Sequence, residues 1–113
     1  MSKTKHHKQA GETTWKNLIG SYKSNAKRNG RVFNLTISEC MELFKNNCAY
    51  YGAVPANIRK LRHYWGSIVY NGIDRVDNKI GYEIGNCVTS CKTCNQAKHT
   101  LTWEEWISWL DRL

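Results

Sequence analysis

Apolar positions along this chain change period twice, and those changes mark its elements. From Thr13 onward, Trp15, Leu18, Ile19, Tyr22 and Ala26 recur at helical spacing, and Gly30 is a natural stop. The run "TISE" then reads as a capping box, Thr36 as N-cap and Glu39 reaching back. It predicts a second helix with Ile37, Cys40, Met41 and Phe44 on one apolar face, which makes Cys40 a core thiol. "NNCAYYGAVPANI" is a turn-rich segment and "RKLRHYWGS" a basic, aromatic connection, in which His63 reads as a surface or phosphate-facing residue. "SIVYNGIDRV" and "NCVTS", rich in Ile and Val and bounded by Gly and Asn, predict two short strands around the loop "DNKIGYEIG". A helix is expected after Cys94. The closing "TWEEWISWLDRL" carries a second capping box, from Thr102 to Glu105, and an apolar stripe of Trp103, Trp106, Ile107, Leu110 and Leu113. Those tryptophans read first as packing residues. The expected order is helix, helix, knuckle-like turn, strand, strand, helix, helix, an α+β domain.

Length adds that this is one domain with a small core, of a size that often gains from a metal or disulfides. Residues 1–10 are polar and basic and are expected to form a flexible arm, with 11–113 as the domain; His6 and His7 on that arm read as solvated. No apolar stretch follows the arm to make a secretory signal, and no run approaches the ~20 residues that span a bilayer, so no membrane role is expected. Charge changes the picture more. Seventeen Lys and Arg against nine Asp and Glu leave +8, which favours a polyanionic partner, nucleic acid above all; a basic protein with no such partner is the plainer alternative. Lys16, Lys23, Lys27 and Arg28 lie on the first helix or its end, equally readable as a solvated face and as a phosphate-contacting one. Five cysteines, two of them in a Cys-x-x-Cys, suit a reducing, cytoplasmic setting and a metal better than a disulfide framework.

Cys91 and Cys94 have the spacing with which two thiolates grip one tetrahedral zinc. "CAYYG" nearly supplies a second pair: Cys48 is present, but Tyr51 stands where the fourth cysteine belongs. Cys87, His63, His99 or a water are candidates for the fourth position; the alternative is a set of thiols packed in a core without metal. Asp74 at the end of the first strand and Asn95 early in the following helix each offer an oxygen to a hard cation, Mg²⁺ or Mn²⁺, which commonly keeps water on its other positions. Taken singly, they read equally well as a turn residue and a helix cap.

Together, "GIDRVDN", "GY", an Asn before the second strand and "CxxCN..K" resemble the HNH endonucleases, the ββα-metal or His-Me finger nucleases, and in particular their short phage-type members. The leading "SYKSNAKRNGRVFNLTISECMELF", the "CAYYGAVPANI" turn and the closing "TLTWEEWISWL" look like the flanking helices and first zinc knuckle of the same family, so the resemblance runs from about residue 15 onward. It implies a ββα-metal finger over about residues 68–99 with flanking helices and a zinc-knuckle site. It places Asp74 and Asn95 at the first and last ligands of a catalytic Mg²⁺ or Mn²⁺, Asn86 at a central position that braces the loop, and Cys48, Cys91 and Cys94 at three of four structural zinc ligands. Tyr51 departs from the fourth. Arg75 departs further, because the family's usual pattern has His directly after the Asp, activating the attacking water. A guanidinium stays protonated and cannot accept that proton, but it can grip a phosphate bidentately. Asp77, His99 or solvent assisted by the metal are then the candidate acceptors.

The resulting expectation is a small metal-dependent DNA endonuclease, on double-stranded DNA, of phage or mobile-element origin and working in the cytoplasm of a bacterial host. Lys27, Arg28, Lys60, Arg62 and Lys98 are expected to track the DNA backbone. The alternative expectation is a DNA-binding or protein-binding module that keeps the nuclease fold without catalysis; a zinc-knuckle interaction protein fits the charge less well.

Overall fold

A computed structural model describes residues 11–62, 66–99 and 101–112. The expectations for the 1–10 arm with its two histidines, for His63 and for Leu113 therefore lie outside the described residues. Among those described, four helices and two small antiparallel sheets make an α+β fold.

Helix α1 spans Glu12–Arg28 and buries Leu18, Ile19 and Ala26, the stripe read from the sequence. It ends where Gly30 takes a left-handed φ of +69°, a conformation that costs glycine little. There the N–H groups of Arg31 and Gly30 donate to the carbonyls of Ala26 and Lys27, satisfying two carbonyls the helix leaves open. Helix α2, Ile37–Lys45, starts at the expected capping box: the Thr36 N–H donates to Glu39 Oε1 at 2.8 Å and the Glu39 N–H to Thr36 Oγ1 at 3.1 Å. Cys40 and Phe44 are fully buried, as is most of Leu43. Ile37, expected on that apolar face, is instead exposed, since at the first helical turn it points beyond the core.

The strand expected over "SIVYNGIDRV" is two strands in two sheets. Strand β2 (Ile68–Tyr70) pairs antiparallel with β1 (Asn57–Arg59), a strand lying where only turn and connection were expected. Strand β3 (Gly72–Arg75) pairs antiparallel with β4 (Cys87–Ser90), placing Asp74 opposite Val88 and Arg75 opposite Cys87. Asn71 makes the break. Its backbone N–H donates to the Phe44 carbonyl at 2.9 Å, and its buried carboxamide donates to the carbonyls of Asn46 and Ala53 at 3.0 and 3.1 Å. These bonds divert the chain from one sheet into the next.

Between β3 and β4, residues 76–86 form a loop that ends in a single 3₁₀ turn, Ile84–Asn86. The loop is stitched to the α1–α2 connection by Tyr82, whose N–H donates to the Val32 carbonyl at 2.9 Å and whose carbonyl accepts from the Asn34 N–H at 2.8 Å. Gly81 permits that approach: a Cβ there would sit 2.6 Å from the Val32 carbonyl oxygen.

Helix α3 spans Lys92–Lys98 and begins three residues earlier than expected, with Cys91 as its N-cap and Cys94 inside its first turn. Helix α4, Trp103–Asp111, has the expected second capping box, the Thr102 N–H on Glu105 Oε1 at 2.9 Å and the Glu105 N–H on Thr102 Oγ1 at 3.1 Å. Trp106 is wholly buried, Ile107 and Leu110 are half-buried, and Trp103 is exposed.

Two apolar clusters result. The larger joins α1, α2, β2, β3 and β4 through Leu18, Ile19, Leu43, Phe44, Ile68, Ile73 and Cys87. The smaller gathers Cys48, Cys91, Cys94 and Trp106 where the 48–53 turn meets α3 and α4.

Candidate active site and thiol cluster

The β3–β4 hairpin and α3 open onto a cleft of about 280 Å³. Asp74 and Arg75 reach it from β3, Asn95, Lys98 and His99 from α3 and its end, and Ser21, Tyr22 and Asn25 from α1. The positions nearest in kind to a cation-binding and phosphate-binding set therefore share one wall-to-wall space. The spacing explains part of this. Asn95 and Lys98, three apart on a helix, share a face, whereas Ile73, Asp74 and Arg75 all line the cleft although strand alternation alone would separate neighbours.

Asp74 is buried, and two groups meet on one of its oxygens. The Tyr50 hydroxyl donates to Oδ2 at 2.7 Å, and the Lys98 ammonium lies 2.9 Å from the same atom. No described residue bonds to Oδ1. Burial, followed by the carboxylate of Asp74, pushes the Tyr50 phenol far above its ordinary range, so it stays a neutral donor. Lys98 also donates to the Arg75 carbonyl at 2.8 Å. It is 4% exposed, so the lysine expected to track DNA is instead largely committed to a buried ion pair on the cleft wall.

Arg75 Nη1 donates to the carbonyls of Asn78 and Ile80 at 2.7 and 3.2 Å, and its guanidinium lies over the Tyr82 ring at 5.5 Å. It thus ties down the 76–86 loop while lining the cleft. Asn86 is not in the cleft. Its amide donates to the carbonyls of Asp77, Ile80 and Gly81, and its Oδ1 accepts from the Asp77 N–H at 2.8 Å, closing the loop from within. Asp77 caps Lys79 and faces a neighbouring depression, whereas His99 lines the cleft itself. On the far wall Tyr22 accepts from the Ile73 N–H at 3.2 Å; burial pushes its hydroxyl up to about 12 against the opposing pull of that bond.

Lys27, Arg28, Lys60 and Arg62 are exposed. Arg28 follows Ser21 and Asn25 at helical spacing, on the α1 face that borders the cleft.

Behind the cleft, the sulfur atoms of Cys48, Cys91 and Cys94 lie within 4.8 Å of one another, all buried. Such a group could bind a metal such as zinc, and the residues fit one. Thiolates are zinc's preferred soft donors, and backbone N–H groups already face the sulfurs: the Cys94 N–H donates to Cys91 Sγ at 3.4 Å. Without a cation three sulfurs this close cannot all ionise. Cys48 is drawn down, since backbone N–H groups of Cys91, Tyr51 and Tyr50 outweigh the opposing effect of burial. Cys94 is pushed up by burial, with the neighbouring Cys91 and Cys48 adding to it. Two candidates for a fourth ligand are placed elsewhere: Cys87 packs in the larger core, where burial pushes its thiol up to about 11, and His99 faces the cleft. Tyr51, standing where the expected fourth cysteine would be, is 66% exposed and lines a cavity shared with Cys91 and Cys94.

The sequence reading missed Tyr50. It sits between an expected ligand and an expected departure in "CAYYG", and no spacing rule points its hydroxyl at a strand 24 residues on.

No family model matches the chain, and no solved structure does. The uncharacterized protein R423 of Acanthamoeba polyphaga mimivirus is 40% identical over 86 residues, 76% of this chain and 14% of R423. A second relative is YoqL of Bacillus subtilis (strain 168), SPbeta prophage-derived and named provisionally as an HNH endonuclease. It is 29% identical over 83 residues, 72% of this chain and 35% of YoqL. The chain thus spans only a minor part of either relative. What it is similar to includes a protein named, provisionally, for nuclease activity.

Proposed function

We propose that the chain is a metal-dependent DNA endonuclease of HNH type, its β3–β4 hairpin and α3 forming the ββα-metal finger. The observation that supports this most is convergence. A buried carboxylate with one oxygen free of described protein partners, an exposed carboxamide, a guanidinium and an imidazole line one 280 Å³ cleft on a chain of charge +8. Similarity to YoqL points the same way.

In this reading Asp74 and Asn95 hold Mg²⁺ or Mn²⁺, which supplies polarisation of a phosphate oxygen and stabilisation of the departing alkoxide. The Asp74–Lys98 pair is close to neutral, so the protein ligands alone hold a dication weakly, and a DNA phosphate entering the cleft completes the charge. Arg75 keeps its Nη1 on the loop and turns its remaining N–H groups to that phosphate. Asn86 keeps the loop shaped for it. His99 takes the proton from the attacking water, being in the cleft where Asp77 is not. Lys27, Arg28, Lys60 and Arg62 follow the flanking backbone of double-stranded DNA. Zinc on Cys48, Cys91 and Cys94 holds the turn and α3 in place.

The test is supercoiled plasmid with Mg²⁺ or Mn²⁺, beside Asp74→Ala and Arg75→Ala. Nicking by wild type that Asp74→Ala abolishes supports the enzyme. Replacing Arg75 lowers the rate by about 10²–10³, as loss of one transition-state donor does elsewhere.

One observation favours a second reading. The 2.9 Å Lys98–Asp74 pair already balances the carboxylate's charge, leaving Arg75 as a net cationic anchor for phosphate with no metal required. A plasmid left intact in both metals, by a protein that still retards DNA in a gel and loses it as salt rises, selects this binding module instead.

A further inference from the structure

We propose that Tyr50 is the positioning residue that fixes the Asp74 carboxylate and so sets the cleft's hold on a divalent cation. The proposal rests on the reading of Asp74 as a cation ligand.

Three features of Tyr50 carry it. First, its hydroxyl donates to Asp74 Oδ2 at 2.7 Å, so the carboxylate can turn Oδ2 toward a cation only by breaking that bond. Lys98 meets the same oxygen, but its ammonium rides a flexible four-carbon stem and is shared with the Arg75 carbonyl. Lys98 balances charge, and the stiff tyrosine ring sets direction. Second, the ring is itself held: it lies edge-on to the buried Trp106, centroids 5.1 Å apart at 88°. Third, its backbone belongs to the turn that carries Cys48. Gly52 N–H donates to the Cys48 carbonyl, Cys48 N–H to the Ala53 carbonyl and Ala49 N–H to the Thr89 carbonyl on β4, each at 2.8 Å. Anything that orders the 48–53 turn therefore orders the group that orients Asp74. The same cluster contributes Cys94, the residue before Asn95. Both sides of the candidate cation site are thus hung from the thiols, one through a phenol and one through a helix.

Outer partners that orient a metal ligand are worth about 10–100-fold in affinity when removed. Tyr50→Phe deletes the hydroxyl and keeps the ring on Trp106, so packing is spared. The experiment measures Mn²⁺ dissociation constants by electron paramagnetic resonance of the free ion, for wild type, Tyr50→Phe and Asp74→Asn, with zinc content and thermal unfolding recorded for each. The expected result is Mn²⁺ binding weakened about 10–100-fold in Tyr50→Phe, with zinc content and unfolding temperature those of wild type. A merely structural tyrosine would instead move the unfolding temperature or the zinc content with it. Unchanged Mn²⁺ affinity in Tyr50→Phe, with binding lost in Asp74→Asn, overturns the role of Tyr50 and leaves the cation site standing. No Mn²⁺ binding in wild type, or binding indifferent to Asp74→Asn, overturns the cation site and this proposal with it.

Discussion

The two apolar clusters of this chain are built on different principles although both contain buried cysteines. The larger one is held by shape: Phe44 stacks near Trp15 at 5.8 Å and meets Tyr22 and Tyr70 at 5.5 and 5.9 Å, with Leu18, Ile19 and Ile73 filling between. Cys40 and Cys87 serve there as small apolar side chains, and burial raises both thiols above their ordinary value. The smaller cluster has three cysteines and Trp106 as its buried residues, with Leu101, Ile107 and Leu110 packed around them half-buried. It places three sulfurs together under Trp106, which stacks on Trp109 at 5.3 Å, and its elements are short, α3 having seven residues. Helices of that length are not stable on propensity. One region rests on packing alone, and the other adds to its packing three sulfurs that could bind a metal such as zinc. The cleft lies along the seam between them, taking Asp74 from the first and Asn95 and Lys98 from the second.

Breaking the smaller cluster at its sulfurs should have the largest effect. Cys91→Ser removes one metal donor and weakens the cap of α3, and it is expected to abolish zinc retention and cost more than about 4 kcal/mol, the range in which metal loss falls. Zinc analysis beside thermal unfolding checks it. Next in size is a pH effect confined to the same region. Cys94 is held protonated above its ordinary range, so binding zinc must release at least its proton. Apparent zinc affinity should then fall by at least about tenfold for each unit the pH drops below neutrality. Titration against a chelator of known affinity at several pH values measures the slope; a flat profile would mean that the sulfurs are not the donors.

Cys40→Ala sharpens the contrast, because the same residue type is replaced in the packed core. Deleting one sulfur there should cost about 1–2 kcal/mol in chemical unfolding and leave zinc content untouched. The smallest effect is at a cap. Thr102→Ala removes the acceptor for the Glu105 N–H and should cost about 1 kcal/mol, with the loss concentrated in hydrogen-exchange protection of α4.

Local chemistry made much of this fold readable from sequence. Both capping boxes, the α1 stripe with its Gly30 stop, and the Cys91–Cys94 spacing are short-range codes, and each corresponds to what the chain forms. What was hidden depends on contacts distant in sequence. Strand β1 was invisible because its three residues carry no inward alternation: Ile58 is 71% exposed and its partner Val69 50%, so neither shows the half-buried pattern by which strands are recognised. The break at Asn71 follows from carbonyls on Phe44, Asn46 and Ala53 that a window of a few residues does not contain. The candidate site divides the same way. Asp74, Arg75 and Asn95 could be named from their motif and do line one cleft, whereas Lys98, expected to track the DNA backbone, pairs with a carboxylate 24 positions back in the chain. Tyr50 had no signal at all.

In the function proposed above, two separate cation sites divide the labour, a tight one at the thiols that scaffolds and a weak one at Asp74 that acts. Native mass spectrometry of the protein, before and after addition of Mn²⁺, tests it most directly. Wild type should carry one zinc as purified and gain one Mn²⁺; Cys91→Ser should lose the zinc, and Asp74→Asn should keep the zinc but fail to gain Mn²⁺. Wild type free of zinc, or an Asp74→Asn protein that takes up Mn²⁺ as wild type does, would contradict it.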